Sequence, residues 1–322
     1  MTSSAQVARP RQWAAALAWG LWALAISGLP VIAWLDHLSR QAGRPDLAQL
    51  TPGAFIGPAL ALVSATTVGA VLAGRRPYHP VGWLLLVAGL SLAWGGVAPP
   101  YAAYGLLARP GALPGAYAVA RYWSVTIVTA QASTSFVLLL TPTGALPSPR
   151  WRWWARLSVA VAIILAVGLV VASGPLNPRY QILGGPFELR GHGGMLLIVN
   201  QLALAFTTLA VVVGAWSLVV RFRRAGGTER QQLRWVALAA ALAVLGGAVA
   251  LGSLAAGSMV VGTWATSVCF AGVPVALGAA ILRYRLYDLD HIVRRTVAYG
   301  VHARAGRRLR PGGRGTGPVP RP

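Results

Sequence analysis

The stretch "GRRPYHPVGWLLLVAGL" at Gly74–Leu90 decides the fold. An apolar run that begins near residue 54 stops at two arginines. Two prolines follow, and a second apolar run starts at Val81. Pro77 and Pro80 lack the N–H that a continuing helix needs, and each biases the residue before it away from helical geometry. Arg75 and Arg76 belong at a water–lipid boundary. The stretch therefore reads as a tight turn between two apolar helices, each near the roughly 20 residues needed to cross a hydrocarbon core about 30 Å thick.

The rest of the chain repeats this pattern. Of 322 residues, 56% are hydrophobic and 11% charged, where a soluble domain carries about 25% charge. Eight apolar runs are long enough to span: 13–34, 54–73, 81–107, 117–140, 156–173, 195–220, 235–256 and 259–282. Pro99 and Pro100 predict that the third helix ends near Val97. Barrel strands are excluded because they would be about 10 residues long and alternate in polarity. The fold class expected is all-α, a polytopic membrane helix bundle with about eight transmembrane helices. Its domains are a membrane unit over 1–282, a juxtamembrane amphipathic helix over 283–300 and a disordered Arg/Gly/Pro tail over 301–322.

Arginine placement tests the count. All 28 basic residues are arginine. With the N-terminus inside, 22 arginines fall on inner segments and 6 on outer ones, as the positive-inside rule requires. This asymmetry predicts a multi-pass protein of the bacterial plasma membrane with both termini cytoplasmic. It also assigns the net charge of +22 to lipid surfaces, with no nucleic-acid partner. Trp13, Trp34, Trp83, Trp151, Trp153, Trp154 and Trp235 gather at span ends as an interfacial belt. The first run follows Arg9 and Arg11 but is long for a signal peptide, so it reads as a retained anchor.

Chemistry-bearing residues are sparse. None of the six acids falls at mid-membrane, which weakens a proton- or cation-coupled transport reading. Arg121 lies about one turn into the fourth span, where it can snorkel. Cys269 has no partner for a disulfide, no two histidines have metal-ligand spacing, and no catalytic or cofactor motif is present. Gln131, Ser133, Thr134, Asn200 and Gln201 sit at depth. Interhelical hydrogen bonding accounts for them, at about 1 kcal/mol each; a small-ligand pocket formed by Gln131, Asn200 and Gln201 is the sharper reading. Ala248, Gly252 and Ala256 form a small-residue row suited to close helix packing. Pro274 predicts a kink or a freed carbonyl in the eighth span.

Three loops on the inner side carry unusual detail: "GRRPYHPVGWLLL", "LLLTPTGALPSPRWRWW" (Leu138–Trp154) and "RFRRAGGTERQQLRWVALAAAL" (Arg221–Leu242). Together with "AILRYRLYDLDHIVRRTVAYG" (Ala280–Gly300), they resemble the membrane sensor region of actinobacterial sensor histidine kinases, in order and spacing, over nearly all of residues 10–300. The resemblance implies signal transduction in a two-component system, with the sensing portion as a homodimer or acting on a separate kinase or response regulator, and with an unidentified small ligand as the stimulus. It implies no kinase activity for these residues, since neither a phosphoacceptor motif nor ATP-binding boxes occur; His291 matches no such motif. Pro274, Arg283, Leu286, Asp288, Asp290 and Arg294 are the candidates for signal coupling. Leu286, Leu289, Val293 and Thr296 are spaced like a heptad, although a basic helix lying on anionic lipid accounts for the same stretch. The tail from Val301 fits a frameshifted or truncated gene: one codon choice for "HARAGRRLR", read one nucleotide later, gives an apolar segment of the kind the family shows there. A small-solute transporter and a standalone partner-binding membrane protein are the alternatives.

Overall fold

The computed structural model describes residues 3–171 (except 49, 51, 142 and 147), 206, 209–221, 223, 271–279 and scattered positions between 237 and 268. The chain falls into two units, Met1–Ala280 and Ile281–Pro322. All described residues belong to the first, and among them there are helices and turns and no strand. The elements are α1 (Ser3–Ile26), α2 (Gly28–Gln41), a 3-10 turn (Pro45–Leu47), α3 (Pro52–Arg75), α4 (Pro80–Ala103), a π-helical turn (Tyr104–Ala108), α5 (Ala116–Leu140) and α6 (Trp151–Val171). Two further helical segments follow, α7 (Leu209–Arg221) and α8 (271–279).

Among the described residues four segments are long and apolar enough to cross a membrane: Gln12–Gln41, Phe55–Arg75, Pro80–Ala108 and Trp151–Gly168. The first joins α1 to α2. Pro30 has no N–H to return to Ile26, and the helix is irregular at Ser27. The Leu24 carbonyl accepts a bond from Ser27 Oγ at 2.7 Å and another from the Trp94 indole at 3.2 Å. Trp13 and Trp34 are 61% and 57% exposed. They stand 21 residues apart, about 32 Å along a helix, which matches the hydrocarbon thickness.

α4 is the central helix. It is apolar on all sides, as a helix enclosed by others should be, and Val81, Leu85, Leu86, Ala93, Val97 and Ala102 are all buried. It packs against α1, α2, α3 and α5. Small residues set its approach to α3: a Cβ added at Gly82 would stand 2.6 Å from the Ala73 amide nitrogen, and one at Gly69 would stand 2.8 Å from that of Leu86. The two helices run antiparallel, as the turn at Gly74–His79 requires.

Two expectations need correction. α4 does not end near Val97; it passes through Pro99 and Pro100 to Ala103 and on into the π turn, where Arg109 N–H donates to Tyr104 O at 2.9 Å. The carbonyls that the prolines cannot bond belong to Gly95 and Gly96, which have no side chain to obstruct a loosened turn. The helix expected from residue 156 begins at Trp151, so Arg152, Trp153 and Trp154 lie in its first turn and not in the loop.

α5 and α7 run parallel. Ser135 Oγ donates to Ala210 O at 2.8 Å, and the loop after α5 meets Arg221 at the end of α7. α3 and α8 also run parallel. Gly57 faces Ser267, Ser64 Oγ donates to Ala271 O at 2.6 Å, and Gly278 faces Val68.

Candidate functional site

Two of the three loops singled out in the sequence, with Arg221 from the start of the third stretch, supply one junction. Trp83 Nε1 donates to Pro77 O at 2.8 Å and His79 N–H to Arg76 O at 3.0 Å, so the first loop is a fixed turn. In the second loop Gly144 has φ +79°, the left-handed region that glycine enters at no steric cost. Its N–H closes the end of α5 by donating to Leu140 O at 2.7 Å. A side chain there would also collide with the first loop: its Cβ would stand 3.1 Å from Pro80 Cδ and 3.3 Å from His79 Nε2.

Arg221 brings in the third segment. Its Nη2 donates to Leu139 O at 2.9 Å and Ala145 O at 2.6 Å, and its Nη1 donates to Thr143 Oγ1 at 3.1 Å. α5 ends at Leu140, so Leu139 is among its last four residues, whose carbonyls lack an intrahelical partner. A guanidinium is suited to this place. Its fan of donors serves several carbonyls at once, and its charge complements the negative end of the α5 dipole. The end of α7 thereby fixes the α5–α6 loop, and that loop rests on the α3–α4 turn.

Pro274 is buried in α8. Ser64 of α3 donates to the carbonyl of Ala271, three residues before it. The carbonyl that Pro274 leaves without a helical donor belongs to Phe270, which lies outside the described residues. Gln131 is half-buried on α5. Thr134 spends its hydroxyl on Ala130 O of its own helix at 2.8 Å. A cavity of about 270 Å³ lies beside α5, lined by Leu84, Thr129, Ser133, Phe136, Val159 and Ile163 among others; Gln131 does not line it. Asn200, Gln201, Arg283, Leu286, Asp288, Asp290 and Arg294 lie outside the described residues, as does the tail. Ala256 of the small-residue row lies outside the described residues.

At the opposite end Asp36 is 2% exposed. Its Oδ2 meets Arg40 at 3.3 Å and the Leu50 N–H at 3.4 Å, which holds the 42–50 loop against α2. Asp46 pairs with Arg44 at 2.9 Å in the same loop, and its hydrogen bond, then its charge, pushes the guanidinium above its ordinary range. Among the described residues no three His, Cys, Asp or Glu side chains assemble as a metal site.

Comparison with known proteins returns no match to any family, curated protein or solved structure.

Proposed function

We propose that this chain is the membrane-embedded sensing portion of a two-component sensor histidine kinase. In this reading it is an eight-span bundle of the bacterial plasma membrane with both ends cytoplasmic. It acts as a homodimer or on a separate kinase or response regulator. A stimulus, such as a small ligand, changes helix packing, and the change reaches residues 283–300 through the loop junction and through α8. The observation that carries the reading is the Arg221 tie: one side chain links the ends of α5 and α7 to a loop seated on the α3–α4 turn, so a shift of one helix is felt at all of them. The parallel packing of α5 with α7 and of α3 with α8 supports eight spans, because each pair is then separated by an odd number of crossings.

A small-solute transporter is the alternative, beside a standalone partner-binding protein. Among the described residues the only acids are Asp36 and Asp46, both paired with arginine at one end, which favours sensing over charge-coupled transport. The test is a fusion of residues 1–300 to the dimerisation and ATP-binding halves of a histidine kinase, assayed for autophosphorylation in membrane vesicles. Arg221→Ala and Ser64→Ala should change the phosphorylation level at equal membrane content, while the unfused chain incorporates no phosphate from ATP. Wild-type phosphorylation in both variants, or solute uptake by proteoliposomes of the unfused chain, would overturn the sensing reading.

A further inference from the structure

We infer that α4, α5 and α6 form a binding site for an anionic phospholipid, its acyl chain in the cavity beside α5 and its headgroup on Arg152 and Arg156. Two separate observations meet on one helical stripe. The first is the cavity. Leu84 comes from α4, Thr129, Ser133 and Phe136 from α5, and Val159 and Ile163 from α6. Val159 and Ile163 are 45% and 57% exposed, so the cavity opens toward the bilayer along α6. Its walls are apolar apart from two hydroxyls, and the Thr129 hydroxyl already donates to Val125 O at 2.9 Å. That lining suits a hydrocarbon chain and offers no charge to a polar solute.

The second observation is charge. Arg152 lies seven residues before Val159, and Arg156 seven before Ile163, so each arginine continues the stripe that lines the cavity. At about 1.5 Å per residue, each guanidinium-bearing position lies roughly 10 Å below its apolar counterpart, near the separation between a headgroup and the upper part of its chain. Both arginines are exposed, as are Arg150 and the indole of Trp153. Arg75, Arg150, Arg152, Arg156 and Arg223 have no carboxylate partner among the described residues, because the two described acids are held at the other end. An anionic amphiphile matches the whole stripe; a zwitterionic lipid matches only its upper part. The inference rests on the bilayer reading and is independent of the sensing reading.

The test uses the full chain in dodecyl maltoside micelles, titrated with a fluorescent phosphatidylglycerol. Phosphatidylglycerol, phosphatidylcholine and inorganic phosphate serve as unlabelled competitors. Phosphatidylglycerol should displace the probe at least about tenfold better than phosphatidylcholine. Arg152→Gln with Arg156→Gln removes two surface charges and should weaken probe binding roughly 30-fold, whereas lysine at both positions should retain most of it. Ile163→Trp fills the cavity with the charges intact and should also weaken binding. Arg75→Gln, outside the stripe, should leave it unchanged. Equal competition by the two lipids, or wild-type affinity in the double glutamine variant, would overturn the site. Competition by inorganic phosphate equal to that of phosphatidylglycerol, or no effect of Ile163→Trp, would remove the cavity from it.

Discussion

Replacing Arg221 with alanine removes three hydrogen bonds whose contributions differ with their surroundings. The Ala145 and Thr143 acceptors are exposed, so water takes the place of the guanidinium at each, and the net loss is about 0–1 kcal/mol apiece. Leu139 is 2% exposed. Its carbonyl accepts a charged donor at the end of a helix, and losing that donor costs about 1.5–3 kcal/mol. The sum is roughly 1.5–5 kcal/mol. Arg221→Lys keeps the charge near the α5 terminus and one or two donors, and so should lose about half as much. Reversible unfolding in mixed micelles, followed by circular dichroism, measures both variants. Hydrogen exchange adds a local readout, since the Gly144 amide, bonded to Leu140 O, should exchange faster in the alanine variant. A loss below about 0.5 kcal/mol for Arg221→Ala, the level of an ordinary surface change, would refute the capping argument.

Gly82→Val should destabilise by about 2 kcal/mol or more, because the added Cβ meets backbone at 2.6 Å, whereas Gly20→Ala, with nothing within 4 Å, should be neutral or gain up to about 1 kcal/mol; equal midpoints for the two would contradict the α3–α4 approach. Ser64→Ala should cost about 1 kcal/mol and Ser64→Thr less, since threonine keeps the donor to Ala271 O; an unfolding midpoint unmoved by alanine would show that the bond contributes nothing. Single cysteines placed at Arg75, Arg150, Arg223 and Arg283 in a Cys269→Ala background should be labelled only from the cytoplasm, and those at Arg44, Arg109 and Glu188 only from outside. External labelling at position 150 or 223 would break the eight-span topology.

Helix placement over residues 13–171 was legible because the hydrocarbon core imposes one length on every span. The turn at Gly74–His79 and the loop at Thr141–Pro149 stood out for the same kind of reason, since prolines, glycine and arginine each forbid or require something local. Other features depended on residues far apart in sequence. The acceptors of Arg221 are mostly carbonyls, which leave no mark in the sequence, and one of them is 82 residues away. Nothing in the sequence marked Ser64 as the donor to the Ala271 carbonyl, 207 residues away. The chain has 38 glycines, and composition does not tell a crossing such as Gly82 from an open position such as Gly252. The passage of α4 through Pro99 and Pro100 depends on Gly95 and Gly96 one turn earlier, a compensation that a rule about proline alone overlooks. The cavity beside α5 leaves no mark in the sequence, because its walls are almost wholly apolar.

The tie at Arg221 also has a schedule. Thr143 leaves the ribosome 78 residues before its partner, and at roughly 5–20 residues per second the α5 terminus waits about 4–16 s for its cap. Ser64 waits longer, since Ala271 follows 207 residues later, roughly 10–40 s at the same rate. During that interval the serine hydroxyl can satisfy itself on its own helix, bonding back to the carbonyl of Leu60. The early helices must therefore insert and pair without the contacts that finally lock them. A chain released before residue 221 would keep α1 to α6 but leave the end of α5 without its arginine cap.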